Sequence, residues 1–231
     1  MPRPDWYYDD QQQVGLDFED EALVARYDLA QNTDLAAERR LAGELVWREG
    51  LVAADLGCGT GALAAALAER CAEVFAVDIS ASMLAVTRKR AENLGLRNLR
   101  TLRGGFLSAP VEEGSLDLVT SKYAFHHLPD FWKAEALARL YRLLKPGGRL
   151  YLADVVFACA PDAIATAVEG WAAWMKANTA YSREEVATHV RDEHSTFDWI
   201  LTGLIERAGF RLIEVRHDGT VYGSYLAERA P

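Results

Sequence analysis

Short apolar runs alternate along the chain with longer segments in which apolar residues recur every three or four positions. The short runs predict β-strands, because a strand buried on both faces reads as a nearly continuous hydrophobic stretch. The longer segments predict helices with one apolar face. The predicted strands cover residues 51–56, 73–78, 99–103, 116–121, 148–156, 210–217 and 220–228. The predicted helices cover residues 62–70, 82–94, 131–144 and 196–208, and much of 21–49.

This alternation is typical of a parallel sheet with crossover helices. The last two predicted strands are joined by "HDGT", in which Asp218 and Gly219 form a hairpin turn signature. The sequence therefore predicts an α/β fold, with a doubly wound, mostly parallel sheet of seven strands and helices on both faces. One strand near the edge is expected to be antiparallel.

The chain has neither internal repeats nor a low-complexity linker, so we expect residues 1–231 to form a single domain. Residues from about 1 to 50 are predicted to form a helical cap. In this cap the aromatic residues 6–8 either fold over the ligand site or pack on a second subunit of a homodimer. Residues from about 160 to 195 form an insertion too long for a plain loop, in which we expect two helices that act as a lid.

Composition and charge narrow the range of partners. The formal net charge of −9 would repel a phosphate backbone, and the basic clusters at 88–90 and 97–103 are short, so nucleic acid is not an expected partner. No apolar segment approaches the roughly 18 residues of a membrane-spanning helix, so membrane insertion is not expected. The polar, acidic start "MPRPDWYYDDQQQ" does not resemble a secretory signal, which predicts a cytoplasmic location.

The cysteines predict neither a disulfide framework nor a metal cage. Cys58, Cys71 and Cys159 are odd in number and widely spaced, and no CxxC pair occurs. We expect them to be reduced thiols that are mostly buried.

The glycine-rich loop in "LVAADLGCGTGALAAAL" is the first indication of chemistry. Gly57, Gly59 and Gly61 lie between a predicted strand and a predicted helix, where glycine allows a ligand to approach backbone N–H groups. A tight turn without a ligand is the alternative. Asp78 ends the second strand, where a carboxylate can accept both hydroxyls of a ribose. Together they predict a nucleoside, but the loop also fits the dinucleotide fingerprint GxGxxG/A.

Four motifs follow one another in order: "AADLGCGTGALA", "VFAVDISASMLAVTRKRAE", "GSLDLVTSKYAFHHLPD" and "LYRLLKPGGRLYLADV". They resemble the successive motifs of class I S-adenosylmethionine-dependent methyltransferases, most closely the small ubiquinone/menaquinone-biosynthesis-like type. The resemblance covers roughly residues 21–157 and resumes at "GLIERAGFRLIEV". It implies methyl transfer from S-adenosylmethionine to a small-molecule acceptor, with S-adenosylhomocysteine as the product.

The resemblance also implies roles for individual residues. Gly57, Gly59 and Gly61 would pack against the methionine and ribose parts of the cofactor. Asp55 would lie near the amino group of the cofactor, and Asp78 would bind its ribose hydroxyls.

The adenine ring would lie between residues from the second and third motif regions. Ile79 and Met83 would form its apolar bed, which suits a flat aromatic ring, although ordinary core packing is an equal interpretation for Met83. The family often has an acidic residue ahead of the fourth strand that accepts from the adenine amino group, but this chain has Gly105 there. A backbone carbonyl near Gly105 or Phe106 would then serve, with the N–H or ring of Phe106 contributing.

Two further residues are assigned to the cofactor by the resemblance. Tyr27, in "ARYDLAQ", would either hydrogen-bond the cofactor carboxylate or place its ring near the sulfonium. Packing of Tyr27 on the sheet is the alternative. Ser121, within the third motif, completes the set.

His126 and His127 are the candidates for catalysis. With Asp154, they fall at the edge of the sheet where ligands bind in open α/β folds. Adjacent histidines point in different directions and no nearby set of acidic and cysteine ligands is apparent, so no metal is expected. The family has "HHL" with differing substrates, which favours a role in shaping the pocket over that of a general base. His189 and His194 are expected to face solvent.

Methyl transfer from a sulfonium chiefly requires alignment and exclusion of water. We expect substrate choice to reside in residues 6–8, 123–127 and the insertion. Trp171, Trp174 and Tyr181 of the insertion indicate an apolar or aromatic small molecule, unless they only close the core of the insertion. The residues leave two other functions open: a nicotinamide-dependent oxidoreductase, and a non-catalytic regulatory module that binds S-adenosylmethionine.

Overall fold

The predicted apolar runs form the central sheet in the computed structural model of the protein, which describes residues 4–12, 18–30 and 33–230. The interiors of the central strands are fully buried, as at Ala53, Ala54 and Leu118, because helices cover both faces there. The first five strands, all parallel, are β1 (Val52–Leu56), β2 (Glu73–Asp78), β3 (Leu99–Arg103), β4 (Leu116–Lys122) and β5 (Leu144–Phe157).

The C-terminal strands complete the sheet. They are β6 (Thr196–Phe197), β7 (Phe210–Asp218) and β8 (Tyr222–Arg229). In the described residues the order is β3-β2-β1-β4-β5-β8-β7, and β8 runs antiparallel to both of its neighbours. The prediction of a mostly parallel sheet with one antiparallel strand near the edge is confirmed. The two-residue β6, which pairs with β5, is an eighth strand where the sequence predicted the start of a helix.

The helices follow the predicted order. They are α1 (Glu21–Ala30), α2 (Leu35–Leu45), α3 (Ala62–Ala68), α4 (Ala81–Asn93), α5 (Asp130–Leu143), α6 (Ile164–Asn178), α7 (Arg183–Asp192) and α8 (Asp198–Arg207). Two of them, α6 and α7, form the insertion, and α7 begins with a capping box of Ser182 and Glu185. No helix in the described ranges combines the length and the apolar character needed to cross a membrane.

Apolar clusters on the two faces of the sheet stabilise this arrangement. One contains Leu137 and Leu140 of α5 and Ile205 of α8, and the other contains Leu63 and Leu67 of α3. A smaller third cluster joins the end of β5 to the insertion. Cys58, Cys71 and Cys159 are free, as predicted, but only Cys71 is fully buried.

The strand order determines where a ligand can bind. Because β1 lies between β2 and β4, the connections on its two sides lead to opposite halves of the sheet. The crevice outside the carboxyl ends of such strands is the usual ligand site of open α/β folds. Asp55, Asp78 and Asp154 all lie near the carboxyl ends of their strands.

Candidate active site

The loop after β1 is held against the end of β2. Gly57, Gly59 and Gly61 have φ values of +67°, +53° and +76°, which side chains disfavour. The amides of Gly57 and Cys58 both donate to the carbonyl of Val77, at 2.8 and 3.0 Å. The loop is thereby brought beside the carboxylate that ends β2.

The three glycines serve different purposes. A Cβ at Gly57 would lie 2.3 Å from the Ala124 Cβ, and a Cβ at Gly61 would lie 2.5 Å from Thr87 Cγ2. At Gly59 the nearest atom would be 3.8 Å away, on a ring of α1. Gly57 and Gly59 line the first two cavities described below, whereas Gly61 lines none of the three. Gly61 therefore allows the loop to pack against α4, and its contact with the cofactor stays a prediction.

Asp78 is fixed in place by backbone donors. Its Oδ2 accepts from the Gly59 amide at 2.8 Å, and its Oδ1 accepts from the Ser80 amide at 2.9 Å. Burial raises the pKa of the Asp78 carboxyl, although these two donors oppose the shift. Each carboxylate oxygen can accept a second hydrogen bond. Asp78 can therefore bind a pair of neighbouring hydroxyls.

A first cavity, of about 90 Å³, lies beside Asp78. Ile79, Met83 and Phe106 form apolar parts of its wall, and Gly105 lines it as well. Met83 and Phe106 are almost fully buried. The structure thus brings together the residues predicted to surround a flat aromatic ring.

Asp10 also lines this cavity, and the sequence analysis did not identify it. Its Oδ2 accepts from the Leu107 amide at 2.6 Å, and the residue is 7% exposed. A Cβ at Gly105 would lie 2.4 Å from the same oxygen, so glycine is needed to admit the carboxylate. An acidic group is therefore present at this end of the cavity, but it comes from the N-terminal segment rather than from the loop after β3.

Aromatic packing anchors the N-terminal segment. The rings of Trp6, Tyr7 and Tyr8 have centroids 6.5, 4.9 and 5.8 Å from that of Trp132 in α5. Tyr8 lines the first cavity. Tyr8 thus lies at the site, whereas Trp6 is exposed, and the choice between covering the site and packing on a second subunit stays open.

A second cavity, of about 270 Å³, lies on the other side of the glycine loop. Asp55 lines it and accepts from Thr120 Oγ1 at 2.7 Å. Burial raises the pKa of Asp55 to about 7, although the Thr120 hydrogen bond opposes the shift. Lys122 and Glu38, which also line the cavity, form an ion pair at 2.5 Å. The second cavity therefore presents both signs of charge, as a zwitterionic ligand requires.

A third and larger cavity, of about 640 Å³, lies between the sheet edge and the insertion. Trp171 both lines it and closes the core of the insertion, where Trp171 Nε1 donates to the Tyr222 hydroxyl at 2.7 Å. Trp171 therefore closes the core of the insertion and is also exposed to the cavity, and its contact with a substrate stays a prediction. Several other aromatic side chains line the cavity: Phe18, Tyr151, Trp174, Tyr181 and Tyr222.

Tyr27 and Tyr123 line all three cavities. Tyr123 has a φ of +54°, a strained conformation of the kind that concentrates at functional sites. Its amide donates to the Ala153 carbonyl at 2.8 Å, which ties the strained residue to β5. These two tyrosines mark the point at which ligands in the three cavities would meet.

The predicted catalytic histidines lie in a short turn after β4. His126 Nδ1 is 2.5 Å from Asp154 Oδ1, and the His126 amide donates to Asp154 Oδ2 at 2.9 Å. The expectation that His189 faces solvent is wrong. Its side chain is 13% exposed, and its ring centroid lies 4.7 Å from that of His126. Glu193, at the end of α7, is 6% exposed beside them.

These surroundings shift both histidines away from the range of a general base at neutral pH. Burial disfavours the charged form of His126, but the adjacent Asp154 and Glu193 outweigh it and raise its pKa to about 9. Burial and the charge of His126 lower the pKa of His127 to about 3. The interpretation that the pair shapes the pocket is the one that these shifts favour.

Ser121 lies away from the three cavities. It is 1% exposed within β4, and in the described residues its hydroxyl has no hydrogen-bond partner. Its contact with the cofactor stays a prediction of the resemblance.

Comparisons with known proteins show which family the chain is similar to. Residues 53–148 match the family described as a methyltransferase domain. The chain is 30% identical over 199 residues to an uncharacterized methyltransferase of Geobacillus thermodenitrificans, covering 86% of this chain and 87% of that relative. It is 37% identical over 139 residues to a demethylmenaquinone methyltransferase of Thermus thermophilus, covering 57% of this chain and 62% of that protein.

The fold has a similar counterpart among solved structures. A SAM dependent methyltransferase from Aquifex aeolicus superposes with a TM-score of 0.67 and 20% identity, over 91% of this chain and 99% of that one. The site thus combines a glycine loop, a buried carboxylate at the end of β2 and adjoining cavities in an α/β fold shared with methyltransferases. The chain belongs to the S-adenosylmethionine-dependent methyltransferase family.

S-adenosylmethionine, rather than a nicotinamide dinucleotide, is therefore the cofactor, and the protein is an enzyme rather than a regulatory module. The residues present fit this cofactor. Asp78 offers two fixed acceptor oxygens beside an apolar slot, and the second cavity carries Asp55 and Lys122 for a zwitterionic end.

Proposed function

We propose that this methyltransferase acts on a small apolar or aromatic molecule bound in the third cavity. The observation that carries the proposal is the cavity itself, whose aromatic lining meets the two cofactor cavities at Tyr27 and Tyr123. Cavities of several hundred Å³ with mostly apolar walls are typical of small-molecule sites.

For the nucleoside part of the cofactor, we propose that Asp78 accepts from the ribose hydroxyls. Ile79, Met83 and Phe106 would contact the adenine ring, and Asp10 would accept from its amino group. The support for the role of Asp10 is its burial at the end of this cavity, against Gly105.

For the methionine part, we propose that Asp55 accepts from the ammonium group, while Lys122 pairs with the carboxylate. Tyr27 would close the cavity over the charged centre, where attraction between a cation and an aromatic ring contributes about 0.5–2 kcal/mol. When bound, S-adenosylmethionine supplies an activated methyl group. The residues of the chain then have to orient the acceptor toward Tyr27 and Tyr123 and keep water out.

We also propose that the insertion is the lid of the third cavity. Both of its helices contribute to the cavity wall, through Trp174 and Met175 of α6 and Val186 of α7. The name of the Thermus thermophilus relative refers to demethylmenaquinone, a molecule with a flat, largely apolar ring system, and this supports an acceptor of that kind. The cytoplasmic location, the homodimer and the absence of a nucleic-acid partner stay predictions of the sequence.

The test combines an acceptor panel with a matched pair of tryptophan variants. Production of S-adenosylhomocysteine is measured with quinols, phenols and other apolar rings, and with polar amines and carboxylates. Trp174 and Trp199 are both exposed, by 51% and 64%, but only Trp174 lines the third cavity. We expect Trp174→Ala to lower kcat/KM for the best acceptor by about 10-fold, a loss of about 1.4 kcal/mol.

Trp199→Ala should leave kcat/KM unchanged, and both variants should bind S-adenosylmethionine as the wild type does. A preference for polar amines or carboxylates, or an equal effect of the two substitutions, would show that the third cavity does not select apolar acceptors.

A further inference from the structure

Ionisable side chains from two distant parts of the chain converge at the wall of the third cavity. His126, His127 and Glu193 each offer a ligand atom, and these atoms lie within 4.8 Å of one another. His126 Nε2 is 3.2 Å from Glu193 Oε2, and His189 Nδ1 contacts the same oxygen. The carboxylate oxygen therefore lies at the centre of a group of imidazole nitrogens.

The polar atoms of these side chains are shielded from solvent. In the part of the chain that the structure describes, Glu193 Oε2 and His127 Nδ1 are both inaccessible to solvent; the carboxylate oxygen contacts His126 and His189, whereas His127 Nδ1 has no hydrogen-bond partner. The Glu193 side chain is only 6% exposed. Burial of an unpartnered nitrogen is costly unless it is paired or coordinates a metal. A cation bound by His127 and its neighbours would offset that cost.

The outward-facing nitrogens of His126 and His189 already have partners. His126 Nδ1 is 2.5 Å from Asp154 Oδ1, and His189 Nε2 is 2.7 Å from Ser195 Oγ. Histidines that bind metals almost always donate their second nitrogen to a carboxylate, a carbonyl or another polar group, which fixes the ring and its tautomer. The cluster therefore has both the inner donors and the outer support of a metal site.

We propose that His126, His127 and Glu193, with His189 beside them, bind a divalent cation of the zinc type. Imidazole nitrogen and carboxylate oxygen are the donors that such a cation prefers, and three protein ligands leave a coordination position for another group. All of these side chains line the third cavity, so that position faces the acceptor space. We assign the open coordination position to a heteroatom of the acceptor, and this assignment alone rests on the proposed function.

The test measures zinc binding directly. Purified protein is treated with a chelator, exchanged into buffer and titrated with zinc chloride, and its bound zinc is measured by elemental analysis. We expect about one zinc ion per chain for the wild type. In Glu193→Gln the affinity for zinc should be lowered ~10–100-fold or more, because loss of a residue that only hydrogen-bonds a metal ligand already lowers metal affinity by that factor. The control is His217→Gln, since His217 forms a separate pair with Asp198 at 2.8 Å.

His217→Gln should bind zinc as the wild type does. His189→Gln is a second variant and tests the residue beside the three ligands. Thermal unfolding of every variant is followed by circular dichroism, with and without zinc. It shows that each variant folds and whether zinc stabilises it. Cobalt(II) in place of zinc should give the visible absorption of a tetrahedral site in the wild type and in His217→Gln, but not in Glu193→Gln.

The proposal is overturned if the wild type binds no zinc above the level of Glu193→Gln, or if zinc leaves its unfolding temperature unchanged. In that case the cluster is a buried set of ion pairs. Calorimetric titration of the same proteins with S-adenosylmethionine reports cofactor binding separately, and the acceptor panel reports the proposed function, so a failure of either is distinct from the absence of a metal.

Discussion

Replacement of Asp78 by alanine tests the proposed cofactor site most directly. In the structure each oxygen of Asp78 already accepts from one backbone amide, of Gly59 and of Ser80, so the carboxylate needs no rearrangement to bind a ribose. A hydrogen bond to a charged group contributes about 1.5–3 kcal/mol. Loss of two such bonds should raise the Kd for S-adenosylmethionine by at least ~10-fold, since about 1.4 kcal/mol corresponds to that factor.

The substitution also affects the protein without cofactor. Two backbone amides lose their acceptor, at a cost of about 1–3 kcal/mol each if they stay buried. The variant no longer has to bury a carboxylate, and this offsets part of the cost. The unfavourable effect of burial is visible in the raised pKa of Asp78. We therefore expect Asp78→Ala to fold, with a lowered unfolding temperature and a more mobile glycine loop.

Isothermal titration calorimetry with S-adenosylmethionine and S-adenosylhomocysteine, alongside circular dichroism, measures both effects. Asp117→Ala is the matched control, because Asp117 is also a buried carboxylate but pairs with Arg48 and Lys145 away from the three cavities. It should lower stability and leave the Kd unchanged. A folded Asp78→Ala variant with wild-type affinity for both compounds would refute the assignment of the ribose site.

Two further predictions concern the ends of the cofactor. Asp10→Ala should weaken S-adenosylmethionine binding severalfold. Gly105→Ala should have a similar effect, because its Cβ would lie 2.4 Å from Asp10 Oδ2. Calorimetric titration measures the affinity of both variants. Binding should also depend on Asp55, whose pKa burial raises to about 7. Because a protonated carboxyl pairs poorly with an ammonium group, wild-type affinity should increase as the pH rises through about 7 and then level off, whereas Asp55→Asn should bind weakly without this dependence.

Each of these predictions has an outcome that would contradict it. Tight binding by Gly105→Ala would mean that Asp10 does not contact the cofactor from its present position. A pH profile that is equally steep in the wild type and in Asp55→Asn would assign the titration to another group.

Local features of the sequence were sufficient for most of the fold. Strands β2 and β3 begin and end at the predicted residues, because a buried apolar run, as in β2, and an alternation of apolar and polar residues, as in β3, are both local properties. The antiparallel β8 was predicted from Asp218 and Gly219 alone, since a left-handed turn between two strands restricts how they can pair. The glycine loop and Asp78 were equally predictable, because the chain between them is one strand–helix–strand unit.

The parts that could not be predicted depend on which surfaces meet in the folded chain. Asp10 lies against Gly105 only because the N-terminal aromatic residues pack on Trp132, and no periodic pattern encodes that contact. Likewise, "RDEH" was interpreted as a solvated helix end, whereas the packing of α7 against the sheet edge buries Glu193 beside His126. Sequence periodicity shows that a helix has a buried face, but the partner of that face, and hence the chemistry between them, is decided by tertiary packing.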